Sequence, residues 1–343
     1  MGRNSQVNTP PKSANAPIHE DMSRSVGGSV VAASLQSLGF NTTSPNVRLI
    51  ETYKPTQSKP TVLVQSAWNF LPRSEFSRLS GNYPRSMQLR MELRRSLASH
   101  NVRRAGKVVA LSSHMAELVE TATGRQVEVN PVTIPIDAEF LSALTEGVSK
   151  TFDTYALVPG TVTDYKRPNL ALSIIAKHFR EIRTVRFAGR TPSAKLISKL
   201  ESDAKDLSLD TNFGPLDRSE MVNHLQQANV VIVPSELESL GISCAEALAL
   251  SSNVVASRLP SHAEISRMLG RSPIWIDELA NMDGSIPALN DHPPLLSAQT
   301  VDEAKTRWAR LGHTLHLPRQ ITVPAAARGR QLRPEVGESD IGQ

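Results

Sequence analysis

Residues 229–250 read Asn229-Val-Val-Ile-Val-Pro-Ser-Glu-Leu-Glu-Ser-Leu-Gly-Ile-Ser-Cys-Ala-Glu-Ala-Leu-Ala-Leu250. The unbroken β-branched run after Asn229 suits a strand buried on both faces, as in a parallel sheet. Pro234 closes it and a polar loop ends at Gly241. Cys244–Leu250, rich in Ala and Leu, then reads as a helix. A strand, a ligand loop and a helix in that order belong to an α/β protein with parallel sheets flanked by helices.

The junction also carries chemistry. The N–H groups of a helix's first turn and its dipole point toward the preceding loop, so an anionic ligand is favoured there. Gly241 lets the backbone come close. Two carboxylates, Glu238 before the helix and Glu246 about one turn in, are separated by seven residues, and Glu246 could accept hydrogen bonds from sugar hydroxyls. A plainer reading stands beside this one: Ser243-x-x-Glu246 fits a capping box, with Ser243 capping the helix and Glu246 reaching back to its N–H.

Further strand and helix units lie upstream. Tyr155-Ala-Leu-Val-Pro-Gly160 reads as a buried strand, and the loop from Thr161 to Lys166 leads into an amphipathic helix ending near Phe179. Val185–Gly189 and Asn212–Leu216 follow as strand units, and Glu220–Ala228 as a helix. Lys59–Gln65, Lys107–Ser112 and Val127–Val132 are strands, and His114–Glu120 is a helix.

Taken in this order, the chain over roughly residues 106–280 resembles the retaining nucleotide-sugar glycosyltransferases of the GT-B fold, the glycosyl transferases group 1 or family 4. Residues 234–247 are similar to the family signature Pro-Ser-x-x-Glu-Gly-Phe-Gly-x-x-x-x-Glu-Ala. Gly160 and Lys166 match its Gly-Arg-Leu-x-x-x-Lys element. The resemblance implies two Rossmann-like domains facing a cleft, with a donor site for a nucleoside diphosphate sugar in the carboxy-terminal one.

It further implies residue roles. Lys166 would neutralise the diphosphate, and preorganised positive charge there lowers the barrier to its departure. Glu238 would contact the transferred sugar in a positioning and electrostatic role. Glu246 would hold the ribose hydroxyls, while Leu240, Gly241 and Ile242 offer backbone N–H groups beside Gly160 and Thr161. Gly28, in a glycine pair expected to form a turn before a helix ending at Gly39, resembles the family's amino-terminal loop near the diphosphate. Lys166 also has a plainer reading as a solvent lysine in a loop, and the glycine pair as a simple loop.

Several positions depart from the pattern. Thr161 stands where the family has arginine, Ser239 where it has glycine, Leu240 where it has an aromatic residue, and Ser251-Ser-Asn253 where it has Gly-x-Pro. Segment Ser66-Ala-Trp-Asn-Phe70 lacks the family's histidine, although Trp68 or Asn69 could line an acceptor cleft, and no hydrophobic strand precedes the glycine pair. Arg167 or Arg190 could substitute for the missing arginine.

Two functions follow as expectations. The first is a metal-independent hexosyltransferase that needs no cofactor beyond its donor and acts on a hydroxyl acceptor, carbohydrate or lipid-linked. The alternative is a degenerate, non-catalytic GT-B protein that binds nucleotide or a partner enzyme. A related epimerase or hydrolase on the same fold is disfavoured by the intact signature.

The 343 residues suit two domains. We expect a disordered segment at 1–24, a shortened acceptor domain at 25–150, a donor domain at 151–290, a helical segment at 291–317 and a disordered tail at 318–343. A single cysteine, Cys244, excludes an internal disulfide. No apolar run approaches a membrane span, and the first residues lack a signal-peptide core, so a cytoplasmic protein is expected. No Cys-x-x-Cys, His-Glu-x-x-His, P-loop, Gly-x-Ser-x-Gly or Asp-x-Asp motif occurs.

The net charge of +5 is uneven. Between Arg73 and Lys107 positive residues dominate, and Leu89, Leu93 and Leu97 form a stripe beside Arg90 and Arg94. The favoured reading is a helix whose leucines pack into the core. The second is a peripheral contact with the inner membrane surface through residues 85–104. Nucleic-acid binding ranks last, because base-stacking aromatics are scarce.

Overall fold

The computed structural model describes residues 26–44, 46–49, 51–52, 59–145, 154–279, 281–282, 286 and 296–319. The segment expected at 1–24 and the tail beyond 319 lie outside the described residues, as does most of 283–295.

Two parallel sheets organise the chain. The first has the order β1-β2-β3-β4, from β1 (Val47–Arg48), β2 (Thr61–Val64), β3 (Lys107–Ala110) and β4 (Glu128–Val129). Its helices are α1 (Val26–Ser37), α2 (Arg73–Ser80), α3 (Arg85–Arg104), α4 (Ser113–Thr123) and α5 (Ala138–Thr145). The second sheet draws on β5 (Tyr155–Pro159), β6 (Thr184–Ala188), β7 (Asp210–Gly214), β8 (Val230–Val233), β9 (Val254–Ala256) and β10 (Ile274–Trp275). Between them run α6 (Pro168–His178), α7 (Ala194–Asp206), α8 (Arg218–Gln227), α9 (Ile242–Leu250) and α10 (Pro260–Leu269), and α11 (Ile276–Leu279) and α12 (Ala298–Thr314) follow. Every strand pair is parallel.

The second sheet has the order β10-β9-β8-β5-β6-β7. Strand order therefore reverses between β5 and β8, and the loops at their carboxyl ends diverge there. In an open α/β sheet that crevice is where ligands bind. All four residues of β8 and all five of β5 are buried, as a strand covered by helices on both faces requires.

One apolar core joins the two halves. Val31, Leu35 and Phe40 near the start of the chain pack in the same cluster as Leu157, Cys244, Trp308 and Leu311. Helix α12 turns back onto α1, and Trp308 donates its indole N–H to the Ile134 carbonyl at 2.8 Å. Helix α12, within the helical segment expected at 291–317, thus packs into this shared core.

Two expectations are corrected. The glycine pair does not form a turn: Gly28 lies within the first turn of α1, because Val30, Val31 and Leu35 bury one face of a helix that already starts at Val26. A glycine costs little at a helix end, and the packing outweighs that cost. The leucine stripe of α3 is not core. Leu89 and Leu93 are 62% and 63% exposed, while Ala98, Asn101 and Val102 are the buried residues of this helix. No helix among the described residues is long and apolar enough to cross a membrane.

Candidate functional site

A cavity of about 330 Å³ opens at the reversal point, within the range of small-molecule sites. Its floor comes from the second sheet. Gly160 and Thr161 follow β5, Lys166 ends the short 3-10 turn Asp164–Lys166, and Glu238 lies in the loop after β8. Leu240, Gly241, Ile242, Ser243 and Glu246 bring the start of α9 to it. The opposite wall comes from the first half, with Val31, Val64, Leu111 and Met115 giving apolar surface and Gln65 and Ser112 polar atoms. Eight of the nine sequence candidates therefore line one cavity. Of Gly28, the ninth, only its place in α1 is described, and Val31 of the same helix lines the cavity.

Backbone geometry explains two glycines. Gly241 adopts φ 79°, a left-handed conformation, and a Cβ there would sit 2.6 Å from the His262 ring. Gly189, after β6, lets two loops touch: a Cβ would come within 2.1 Å of the Gly160 carbonyl oxygen. The same contact lets the Val162 N–H donate to the Arg190 carbonyl at 2.9 Å, and Arg190 lines the cavity. Arg167 is exposed and does not line it.

Lys166 and Glu238 form an ion pair at 2.5 Å, with side chains only 16% and 14% exposed. Burial alone would push the lysine toward neutrality, but the facing carboxylate outweighs it and holds the ammonium above its ordinary value. For Glu238 burial works upward, and Lys166 followed by His262 outweighs it, so the carboxyl lies below the usual range. Both charges persist at neutral pH. Lys166 is accordingly no solvent lysine. Its Nζ lies 3.7 Å from where a Cβ on Gly160 would be, beside the loop after β5.

Glu246 is used differently from the capping-box reading. The residue before α9 is Gly241, no side chain caps the helix, and the Glu246 carboxylate instead accepts from Arg218 Nη1 at 2.5 Å. Arg218 also donates through Nε and Nη2 to Asp137 at 3.0 and 2.8 Å. Burial carries the Glu246 carboxyl above the ordinary range, and Arg218 opposes the rise without cancelling it.

Arg218 and Asp137 were not legible as site residues. They are 81 positions apart in sequence and 28 separates Arg218 from Glu246, with no motif linking them. Trp68 and Asn69 do not line the cavity. Trp68 packs edge-on against Tyr165, with ring centroids 5.4 Å apart, and Asn69 donates to Glu51 at 2.8 Å.

The two halves bond directly beside the cavity. The Ala67 N–H donates to the Ser239 hydroxyl at 2.9 Å, and the Ser112 hydroxyl donates to the Ser239 carbonyl at 2.8 Å. The Ser113 N–H and hydroxyl both donate to the Glu264 carboxylate.

Residues 146–277 match the family model for Glycosyl transferases group 1. No curated protein matches the chain. Among solved structures, an α,α-trehalose-phosphate synthase (UDP-forming) from Burkholderia vietnamiensis aligns at 12% identity with a TM-score of 0.50, over 76% of this chain and 66% of that one. The corresponding enzyme from Burkholderia xenovorans, in complex with glucose-6-phosphate, aligns at 11% identity and 0.48 over 84% and 78%. A sucrose-phosphate synthase from Thermosynechococcus elongatus gives 18% and 0.40 over 75% and 62%. The chain thus spans just under two thirds of the first of these. With the two parallel sheets and the cavity at the reversal point on the page, the chain has the GT-B fold, and residues 146–277 are similar to the Glycosyl transferases group 1 family.

Proposed function

We propose that the protein transfers a hexosyl group from a nucleoside diphosphate sugar to a hydroxyl acceptor, carbohydrate or lipid-linked, with retention and without a metal ion. The observation that carries this reading is the buried Lys166–Glu238 pair, set beside Gly160 and the start of α9 in one cavity. In the reaction the acceptor oxygen bonds the anomeric carbon, the bond to the diphosphate oxygen breaks, and the acceptor proton leaves with the diphosphate. Negative charge grows on the departing diphosphate. Lys166, Arg190 and the amino-terminal end of α9 are the positive groups at hand, and fixed positive charge in a cleft stabilises it without reorganisation. Glu238 orients the lysine and faces the transferred sugar, and Glu246 accepts the ribose hydroxyls.

Thermal shift against UDP-, GDP-, ADP- and dTDP-sugars tests the donor site. One nucleotide class should raise the melting temperature of the wild type, with and without EDTA, and should leave Lys166→Ala and Glu246→Ala unshifted. Absence of any shift in the wild type would sink the reading. Binding without sugar release or transfer would instead favour the non-catalytic alternative.

The outer face of α3 supports a further component, contact with an anionic lipid surface. Met87, Leu89 and Leu93 are exposed beside Arg85, Arg90 and Arg94, a pairing of apolar and basic side chains that suits a membrane interface. Co-sedimentation with phosphatidylglycerol vesicles, abolished by Leu89→Glu/Leu93→Glu and absent with phosphatidylcholine vesicles, is the expected result. Equal recovery with both lipids would overturn it.

A further inference from the structure

We infer that Arg218, itself held by Asp137, is a positioning residue for the donor nucleoside, fixing one oxygen of Glu246 so that the other is presented to the ribose hydroxyls. The inference rests on the donor-site reading above and adds a residue pair to it.

The geometry is that of a guanidinium fork used at both ends. Nε and Nη2 meet the two oxygens of Asp137 at 3.0 and 2.8 Å, a bidentate match that fixes the plane of the group. Nη1, at the far end, reaches Glu246 Oε1 at 2.5 Å. Asp137 is fixed in turn, since its Oδ1 accepts the Phe140 N–H at 3.1 Å at the start of α5. The Arg218 guanidinium lies 5.5 Å from the Phe140 ring centroid. Rotating Arg218 away would therefore break three charge-assisted bonds together. Oε1 of Glu246 is committed, while Oε2 makes no hydrogen bond among the described residues, and the residue lines the cavity.

Charge follows the same logic. One cation faces two carboxylates, leaving a net negative charge at the cavity edge, where a vicinal diol can donate two O–H groups to a single oxygen or to its carboxylate. Without Arg218, Glu246 and Asp137 would be two buried carboxylates with no counter-charge, and one would take up a proton. A protonated Glu246 is a poorer acceptor. Other charged groups around Glu246 are Lys166, Glu238 and Arg190, which line the same cavity, and His224 of α8 and His262 and Glu264 of α10, carried on the helices packed against α9. The hydrogen-bond donor to its carboxylate is Arg218.

Asp137 lies in the segment that leads from β4 to α5, outside the strand and helix units of the second sheet. The grip on the nucleoside thus includes a residue from the connection between the two sheets, which no motif of the donor half contains.

The test is calorimetric titration of UDP, GDP and ADP against their 2′,3′-dideoxy counterparts, across pH 5 to 8. The wild type should prefer the ribose form of one nucleotide by about tenfold, the value of a hydrogen bond to a charged group. Arg218→Met should cut that preference to within about twofold, Arg218→Lys should keep part of it, and Glu246→Gln should match Arg218→Met, with the double variant no worse than either. In Arg218→Lys, a weaker and singly directed cation, the pH at which the preference is half lost should move upward. That displacement is read on a variant that keeps the charge and the fold, so it stands even where Arg218→Met melts early. A full tenfold preference in folded Arg218→Met, or no preference in a wild type that binds nucleotide, overturns the inference and leaves the donor site intact. A wild type that binds none of the three overturns the donor-site reading, and this inference with it.

Discussion

Lys166 Nζ and Glu238 Oε1 meet at 2.5 Å inside the cleft, joining the short turn after β5 to the loop after β8. The pair closes the gap where the strand order of the second sheet reverses. Removing either partner leaves a buried charge without its counterpart, so Lys166→Ala should cost about 3 kcal/mol of stability. The double variant Lys166→Met/Glu238→Leu should recover most of that loss while remaining unable to bind a nucleoside diphosphate. Urea unfolding of the three proteins checks it, and a double variant less stable than Lys166→Ala would contradict it.

Ser239 ties the halves together where the resembling family has glycine. Its hydroxyl accepts the Ala67 N–H at 2.9 Å. Ser239→Gly removes one such bond, worth about 1 kcal/mol, so amide exchange at Ala67 should accelerate roughly fivefold. Exchange in the centre of β5 should be unchanged.

Glu51 is a buried carboxylate that accepts from the Gln65 and Ser66 N–H groups at 3.1 Å and from Asn69 at 2.8 Å. Burial outweighs these donors, so its carboxyl stays above the ordinary 4.5. The folded protein then holds the proton more tightly than the unfolded chain. Its contribution to stability is largest below 4.5 and declines as pH rises through the raised folded value. Relative to Glu51→Gln, wild-type stability should therefore fall from pH 4 to pH 8. A rise over that window would mean that the three donors outweigh burial.

Leu89→Glu and Leu93→Glu should each change unfolding free energy by less than about 0.5 kcal/mol, because both side chains already face solvent. Were they core residues, each would cost several times that amount. Thermal melts separate the two outcomes without any lipid present.

Gly241→Ala forces a Cβ into a left-handed backbone and against the His262 ring, 2.6 Å away. We expect a loss of about 1–3 kcal/mol together with loss of nucleotide binding. The melting temperature and the donor-induced shift report the two effects separately.

The sequence by itself determined the α/β class, the positions of β5, β8 and α9, and eight cavity residues. The class and the three elements follow from local physics, and the eight residues follow from the resemblance to the family. A β-branched run bounded by Pro234 can be little other than a strand, Gly241 marks the left-handed start of a helix, and a spacing of seven residues sets Glu238 and Glu246 on either side of that start. Only the tertiary structure decided what each side chain does with its charge. Ser243 and Glu246 satisfied the capping pattern, yet α9 starts two residues earlier, with Gly241 at the cap position, and Arg218 from another helix claims the carboxylate. The α3 leucines had helical periodicity, yet periodicity only says that they share a face. Which face is buried depends on what packs there, and the contacts of Ala98 and Val102 with the first sheet's core turn Leu89 and Leu93 to solvent.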